Sequence, residues 1–146
     1  MTEQMTFTEH STKERQALTS WFAQMNITNY KFTPAEGYDP FDAGCVFRGK
    51  RYIIETKIRN AASAAYPSAL IEAQKWESLE WAGWKYQADV MYVNFWFDRV
   101  TVHFLSQIDK ETLDSAVTSC PRYSAGDGAP RYVGKKCYFL PMELAK

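Results

Sequence analysis

The sequence predicts an α/β domain in which helices flank a central mixed β-sheet, and three features support this prediction. Apolar residues recur at helical spacing within residues 11–25, which indicates an amphipathic helix. Residues 43–58 are rich in β-branched and aromatic types on both sides of a short glycine-containing turn, which is typical of a β-hairpin. A second hairpin of high aromatic content is predicted over residues 89–105.

Length and composition are those of one globular domain, and we expect residues 1–146 to form it. Hydrophobic residues make up 46% of the chain and aromatic residues 16%, which excludes a disordered protein. There is no run of 18 apolar residues and no signal-peptide pattern, so we expect a cytoplasmic protein without membrane association. Three cysteines without zinc-ligand spacing, Cys45, Cys120 and Cys137, indicate reduced thiols.

The first helix is predicted to run from Ser11 to Met25. Ser11 is a suitable N-cap, and Glu14 three residues later completes a capping box. The helix then presents one apolar stripe, formed by Ala17, Leu18, Trp21, Phe22 and Met25. This stripe predicts that the helix packs against one face of the sheet.

The first hairpin carries the most informative residues of the chain. Its strands are predicted at 43–47 and 51–58, with Arg48-Gly49-Lys50 as the turn. Because side chains alternate along a strand, Glu55 and Lys57 lie on the same face. A two-residue loop would place Asp42 on that face as well, whereas a three-residue loop would turn it away. The two-residue loop is the commoner one, so we favour convergence of all three side chains.

Two carboxylates and a lysine on one face suit a divalent metal held beside a phosphate. Carboxylate oxygens, together with water and phosphate oxygens, are what Mg²⁺ prefers, and the metal would activate a water molecule for attack. We expect Lys57 to stay charged and to orient this water or steady the phosphate. The alternative is an ordinary cross-strand ion pair between Glu55 and Lys57 on a solvated face. The apolar residues 52–54 argue against it, because a buried strand excludes unpaired charges.

The remaining elements are assigned from periodicity and turn signals. A second helix is predicted over residues 66–84, with Glu72 on its apolar stripe and Lys75 three residues on; the alternative is a surface ion pair between them. Two strands follow at 89–97 and 100–105. A short helix is predicted within 106–120, starting near Ser106 or Asp109. A loop at 121–134 and a strand at 135–140 complete the chain.

Net charge is formally +0, which is unusual for a protein that binds nucleic acid. Two local basic clusters are nevertheless candidates for contacts with a phosphate backbone, although each is also typical of a solvated turn. The first is Arg48, Lys50 and Arg51, and the second is Arg122, Arg131, Lys135 and Lys136. We expect modest, salt-sensitive binding by a monomer, which suggests a homodimer or a partner protein.

The segments Tyr38–Asp42 and Tyr52–Asn60 resemble the core of the PD-(D/E)XK nuclease superfamily, which has the restriction-endonuclease-like fold. The resemblance is closest to small phage or bacterial nuclease-like proteins. It implies a helix, three antiparallel strands, a second helix and a further strand, here residues 89–97, that joins the sheet in parallel. It also implies a DNA nuclease that uses Mg²⁺, with Mn²⁺ as a substitute.

The resemblance further implies roles for individual residues. Asp42 and Glu55 would bind the metal, and Lys57 would assist catalysis. Glu72 and Lys75 on the second helix would complete the site, Glu14 and Asp39 are candidates for its outer shell, and Arg59 is a candidate backbone contact. Two other functions stay open: a catalytically silent module of the same fold that binds or assembles, and a nuclease directed at RNA.

Overall fold

The computed structural model describes residues 7–34, 39–121 and 132–146 of the chain. Its helices and strands follow one another in this order: α1 (Phe7–Gln24), β1 (Tyr30–Phe32), β2 (Ala43–Phe47), β3 (Lys50–Ile58), β4 (Ser68–Glu72), α2 (Ala73–Tyr86), β5 (Asp89–Phe95), β6 (Val100–Phe104), β7 (Ser115–Pro121) and β8 (Tyr132–Pro141). Short 3₁₀ turns occur at Ser63–Ala65, Leu105–Gln107, Lys110–Thr112 and Met142–Leu144.

Five strands form the main sheet, in the order β1-β2-β3-β5-β6. Strands β1, β2 and β3 are antiparallel neighbours, β3 and β5 are parallel, and β6 returns antiparallel to β5. The parallel pair follows from the long connection through α2, since a tight turn can join only antiparallel neighbours. The predicted α/β architecture with a central mixed sheet is confirmed, and so is the predicted parallel strand after the second helix.

The two helices cover opposite faces of this sheet. On one face α1 packs Leu18, Trp21 and Phe22 against strand residues that include Ala43 and Ile54. On the other face a second apolar cluster combines Trp76, Leu79 and Ala82 of α2 with Ile53, Val90 and Tyr92. Because neighbouring residues of β3 point to opposite faces, Ile53 and Ile54 belong to different clusters, and both faces of this central strand are buried.

The predicted helix over residues 66–84 is wrong in its first third. Residues Ser68–Glu72 form β4, which pairs antiparallel with β8, and α2 begins only at Ala73. Burial alternates along β4, with Ala69 and Ile71 inside. The apolar residues of this segment fit both a helical stripe and an alternating strand. Pairing with β8 makes the segment a strand.

Strands β4, β8 and β7 make a second, three-stranded sheet that the sequence analysis did not anticipate. The helix predicted within 106–120 is wrong, since 3₁₀ turns occupy 105–107 and 110–112 before β7 begins at Ser115. Asp109 does cap the second of these turns, accepting a hydrogen bond from the backbone N–H of Glu111 at 3.0 Å. The predicted loop at 121–134 is shorter at both ends, and its residues 122–131 lie outside the described residues.

The predicted start of the first helix at Ser11 is also wrong. The helix already includes Phe7, so Ser11 lies inside it and cannot be its N-cap. Nothing in residues 7–10 breaks a helix, and the turns therefore continue upstream of the sequence that resembles a capping box. No helix in the described part of the chain is long and apolar enough to cross a membrane.

Gly83 lets the end of α2 approach the start of β5 closely. Alanine usually stabilises a helix relative to glycine, but at this position we expect it to destabilise the protein. An added Cβ would lie 2.9 Å from the carbonyl oxygen of Ala88 and 3.2 Å from a methyl group of Val90. Gly83→Ala should therefore destabilise the protein by about 1–3 kcal/mol, although alanine is intrinsically the better helix former by about 1 kcal/mol. Urea unfolding measures the change; the exposed position Gln74→Ala is the control, expected within about 0.5 kcal/mol of the parent. A stabilised Gly83→Ala variant would contradict this packing.

Candidate active site

The hairpin turn sets which side chains of β2 and β3 meet. Phe47 pairs with Lys50, so the loop consists of Arg48 and Gly49 alone. Both loop residues have positive φ, 53° and 78°, as a type I′ turn requires. The register then places Asp42 opposite Glu55, on the face that the two-residue loop predicts.

Asp42 is fixed to the neighbouring strand through both its backbone and its side chain. Its N–H donates to the carbonyl of Ile54 at 2.8 Å, which extends the ladder one residue beyond β2. Its carboxylate oxygen Oδ2 accepts the N–H of Thr56 at 2.7 Å. Since Thr56 lies between Glu55 and Lys57, this bond holds the Asp42 carboxylate beside both of them.

Glu55 is the most deeply buried acid of the cluster, with 6% of its surface exposed. Lys75, in the first turn of α2, brings its Nζ within 3.1 Å of the Glu55 oxygen Oε2. Beyond this ion pair, Oε2 has no further partner among the described residues. A cation bound at this oxygen would therefore share it with Lys75.

Glu14 enters the cluster from α1, on the other side of the sheet. Its pKa is raised from 4.5 to about 7, first by burial and then by the nearby Asp42 carboxylate, whereas Lys57 and Lys75 oppose the shift. These electrostatic effects show that Glu14 lies near Asp42, Lys57 and Lys75. The structure thus brings together Asp42, Glu55, Lys57, Lys75 and Glu14, and we call these five residues the acidic cluster.

Burial dominates the protonation of the acidic cluster. It raises the pKa of Glu55 from 4.5 to about 8, with Asp42 adding to the shift and the two lysines opposing it. Burial likewise raises the pKa of Asp42, against the hydrogen bond from Thr56 and the charges of Lys75 and Lys57. The charges of the two lysines therefore do not offset the effect of burial on the pKa of these carboxyl groups. A cation bound between them would supply what is missing.

The carboxylate oxygens of the acidic cluster suit Mg²⁺ or Mn²⁺, which need few protein ligands. They do not suit a metal that takes all of its ligands from protein side chains. Among the described residues, no three His, Cys, Asp or Glu side chains come together as a preformed metal site. Mg²⁺ is usually held by one or two carboxylates, with water and phosphate oxygens in the other positions. The carboxylates of Asp42 and Glu55 provide that number of ligands.

Two acids predicted for the site bind elsewhere in the structure. Glu72 ends β4 and lies 3.4 Å from Lys135 of β8, so neither the predicted helical position nor an ion pair with Lys75 applies. The Asp39 carboxylate accepts a hydrogen bond from the hydroxyl of Tyr86 at 2.8 Å, at the far end of α2. The partners shown for these two acids, Lys135 and Tyr86, both lie outside the acidic cluster.

The basic residues predicted to contact a phosphate backbone fall into separate places. Arg48, Lys50 and Arg51 lie at or beside the hairpin turn, at the opposite end of β3 from Lys57 and about 20 Å from it. Lys50 pairs there with Asp89 at 2.5 Å. Of the second cluster, Lys135 and Lys136 lie on β8, whereas Arg122 and Arg131 lie outside the described residues.

Arg59 is half-buried and bonded to protein groups instead of facing solvent. Its Nε donates to Oδ1 of Asn94 at 2.7 Å, and its Nη2 donates to the Leu70 carbonyl at 2.7 Å and to the Tyr92 hydroxyl at 2.8 Å. The guanidinium group ties β5 to β4, and its contact with a nucleic-acid backbone stays a prediction.

Asn94 and Tyr92 are two residues of this face that the sequence analysis missed. Tyr92 pairs with Glu55 in register, and Asn94 pairs with Lys57. Asn94 is fully buried and its Nδ2 has no hydrogen-bond partner among the described residues. The sequence signal for Asn94 is its place among apolar residues of the strand predicted at 89–97. Burying an amide group costs free energy unless the group binds a partner, so such a residue is a candidate for the site.

Comparison with known proteins supports the fold and goes no further. No protein-family model matches the chain, and no curated protein matches it either. Among solved structures, it is similar to Hjc, a Holliday junction resolvase from the archaeal hyperthermophile Archaeoglobus fulgidus, with a TM-score of 0.55 and 11% sequence identity. The match covers 88% of this chain and 82% of that one. The predicted restriction-endonuclease-like fold is therefore confirmed.

The raised pKa of Glu55 predicts how metal-free stability depends on pH. A carboxyl group with a pKa of 4.5 when unfolded and about 8 when folded binds its proton more tightly in the folded state. Its contribution to stability is complete below pH 4.5 and is lost as the pH rises towards 8. Each unit of difference is worth about 1.4 kcal/mol, so the loss over this range amounts to a few kcal/mol.

Glu55→Gln should remove this loss, because glutamine does not ionise. In metal-free urea unfolding, we expect the variant to be more stable than the parent by roughly 2–3 kcal/mol at pH 8.5, with a smaller difference at pH 5.5. Glu77→Gln, an exposed glutamate of α2, is the matched control and should show no such pH dependence. An advantage of Glu55→Gln that stays constant with pH would show that Glu55 is ionised throughout.

Proposed function

We propose that this protein is a metal-dependent nuclease that hydrolyses phosphodiester bonds of DNA. The observation that supports this most is the pair of buried carboxylates on adjacent strands, Asp42 and Glu55, held beside two lysines on a nuclease-type fold. The similar solved structure is that of a Holliday junction resolvase, which is consistent with DNA as the substrate.

Each member of the acidic cluster has a distinct part in the proposed reaction. Asp42 and Glu55 would hold Mg²⁺, or Mn²⁺ in its place, and the ion would supply an activated water and offset charge on the phosphate. Lys57 is exposed and can reach a phosphate or the attacking water. Lys75 orients Glu55 through their ion pair. Glu14, with a pKa near 7, is placed to exchange a proton with a group bound at the cluster.

DNA affinity would come from local positive groups, because the net charge of the chain is zero. Lys57 and Lys75 lie at the acidic cluster, and Lys135 and Lys136 lie on β8, beyond the end of β4. Few phosphate contacts imply weak, salt-sensitive binding by one copy. We therefore propose that a homodimer or a partner protein completes the interaction with the substrate.

The first test separates metal binding from folding. Asp42→Asn keeps an oxygen that can accept the Thr56 N–H, and Glu55→Gln keeps the shape of the side chain. Both variants should fold, should lose heat of Mn²⁺ binding in calorimetry, and should lose metal-dependent cleavage by at least about 100-fold. Retention of Mn²⁺ binding and cleavage by both variants would refute the proposed site.

Lys57 is tested by its effect on turnover. Lys57→Ala should lower the cleavage rate by about 10²–10³-fold while Mn²⁺ binding persists, because the lysine acts on the phosphate or the water and is not a metal ligand. Lys31→Ala, an exposed lysine on the edge strand β1, is the matched control and should cleave like the parent. Equal rates for the two variants would remove Lys57 from the proposed reaction.

One observation favours a second function, a catalytically silent module of the same fold. The ammonium group of Lys75 already contacts Glu55, and this contact could neutralise the site in place of a metal. Such a module would bind no Mn²⁺ and would cleave neither DNA nor RNA in any form. A nuclease directed at RNA would instead cleave RNA oligonucleotides faster than DNA of the same sequence, with the same dependence on Asp42 and Glu55.

A further inference from the structure

An exposed phenylalanine stands at the same end of the sheet as the acidic cluster. Phe97 follows β5 and has 73% of its surface exposed, which is unusual for a large apolar side chain. The strand register locates it: Lys57 pairs with Asn94, and Ile58 pairs with Phe95. Phe97 therefore lies about three residues beyond the level of Lys57, or roughly 10 Å along the strand direction.

The backbone around Phe97 is held in place from several directions. The N–H of Phe97 donates to the Ala61 carbonyl at 3.0 Å, and the N–H of Trp96 donates to the Arg99 carbonyl at 2.9 Å, which closes the turn. The neighbouring Asp98 carboxylate accepts both the N–H and the hydroxyl of Ser63, each at 2.7 Å. A turn held in this way presents its exposed ring with little conformational freedom left to lose on binding.

A second exposed aromatic side chain lies in the segment to which this turn is bonded. Tyr66 is 55% exposed and packs on the ring of Trp96, with the ring centroids 6.3 Å apart. Arg99 follows Asp98 in the same turn, and its Nε donates to the Ser63 hydroxyl at 3.0 Å, so the charges of the two side chains offset each other. Exposed aromatic surface is what binds unpaired bases without sequence preference, because every base has a face that can stack on a ring.

We infer that Phe97 stacks on an unpaired base of the DNA strand whose phosphate lies at the acidic cluster. Glu55 pairs with Tyr92, so Phe97 lies five residues, or about 17 Å, beyond the metal-binding carboxylates along the strand direction, which corresponds to about five base steps at 3.4 Å each. A base inside an intact duplex is already stacked, and exposing its face to a side chain costs free energy for unstacking, whereas an unpaired base avoids this cost. The inferred substrate class is therefore DNA with unpaired or splayed bases within a few nucleotides of the cut, such as branched, flapped or frayed ends. This inference rests on the proposed function and extends it.

The test measures stacking directly, without any cleavage. Oligonucleotides carry the fluorescent base 2-aminopurine either unpaired beside a duplex or paired within it, and all proteins carry Glu55→Gln so that the strand stays intact. The protein with Phe97 should quench the unpaired probe, and Phe97→Ala should lose the quenching and bind this DNA about tenfold more weakly or worse. Phe97→Trp should restore both.

Trp84 provides the matched control. It is exposed to the same 73%, but it lies in the last turn of α2, by the start of β5, more than about 20 Å from Phe97 along the strand. Trp84→Ala should leave both quenching and affinity unchanged. Equal effects of Trp84→Ala and Phe97→Ala, or no effect of either, would overturn the inference.

Two further outcomes separate this inference from the proposed function. If the protein with Glu55 intact cleaves DNA but Phe97→Ala cleaves branched and fully paired DNA as the parent does, the function stands and the stacking role is wrong. If the parent cleaves no DNA but the quenching still depends on Phe97, the stacking role stands and the function fails. A change in oligomeric state on Phe97→Ala with unchanged DNA binding would assign the ring to a protein interface and overturn the inference.

Discussion

The hydrogen bond from the Thr56 N–H to the Asp42 carboxylate is the contact on which the candidate site depends. It is formed between neighbouring strands and ties an acid just outside β2 to the backbone between Glu55 and Lys57. The backbone of Asp42 is held on both sides, since its carbonyl accepts the N–H of Thr33 and its own N–H donates to Ile54. Two carboxyl groups are thereby kept close together by the sheet.

Holding carboxylates together in a buried place carries an electrostatic cost that the protein alone does not offset. The pKa of Glu55 is raised to about 8 and that of Glu14 to about 7, in both cases first through burial and then through the charge of Asp42. Lys57 and Lys75 lower both values but do not return them to the ordinary range. A site in this electrostatic state binds a cation more readily as the pH rises and the carboxyl groups release their protons. The zero net charge of the chain is therefore compatible with a strongly charged local site.

The sequence predicts those parts of the structure that depend on residues close together in the chain. It does not predict those that depend on distant residues. The convergence of Asp42 and Glu55 follows from the length of one turn, because a two-residue loop fixes the register of a hairpin. The boundary between β4 and α2 could not be found in the same way. Ala69 and Ile71 fit a strand and a helix equally well, and the choice is made by β8, which lies more than sixty residues further along the chain. The ion pair between Glu72 and Lys135 of β8 could not be predicted for the same reason.

Arg59 shows how the second sheet supports the site formed by the first. Its guanidinium group bonds Asn94 and Tyr92 of the main sheet and the Leu70 carbonyl of β4. The strand β4 leads directly into α2, whose first turn carries Lys75. The position of Lys75 against Glu55 therefore depends on how firmly β4 is attached to the main sheet. A half-buried arginine that bonds three internal acceptors makes this attachment specific in geometry, which apolar contact alone does not. Arg59 thus links the main sheet to the strand that leads into α2, which is how two sheets can fix one helix against the acidic cluster.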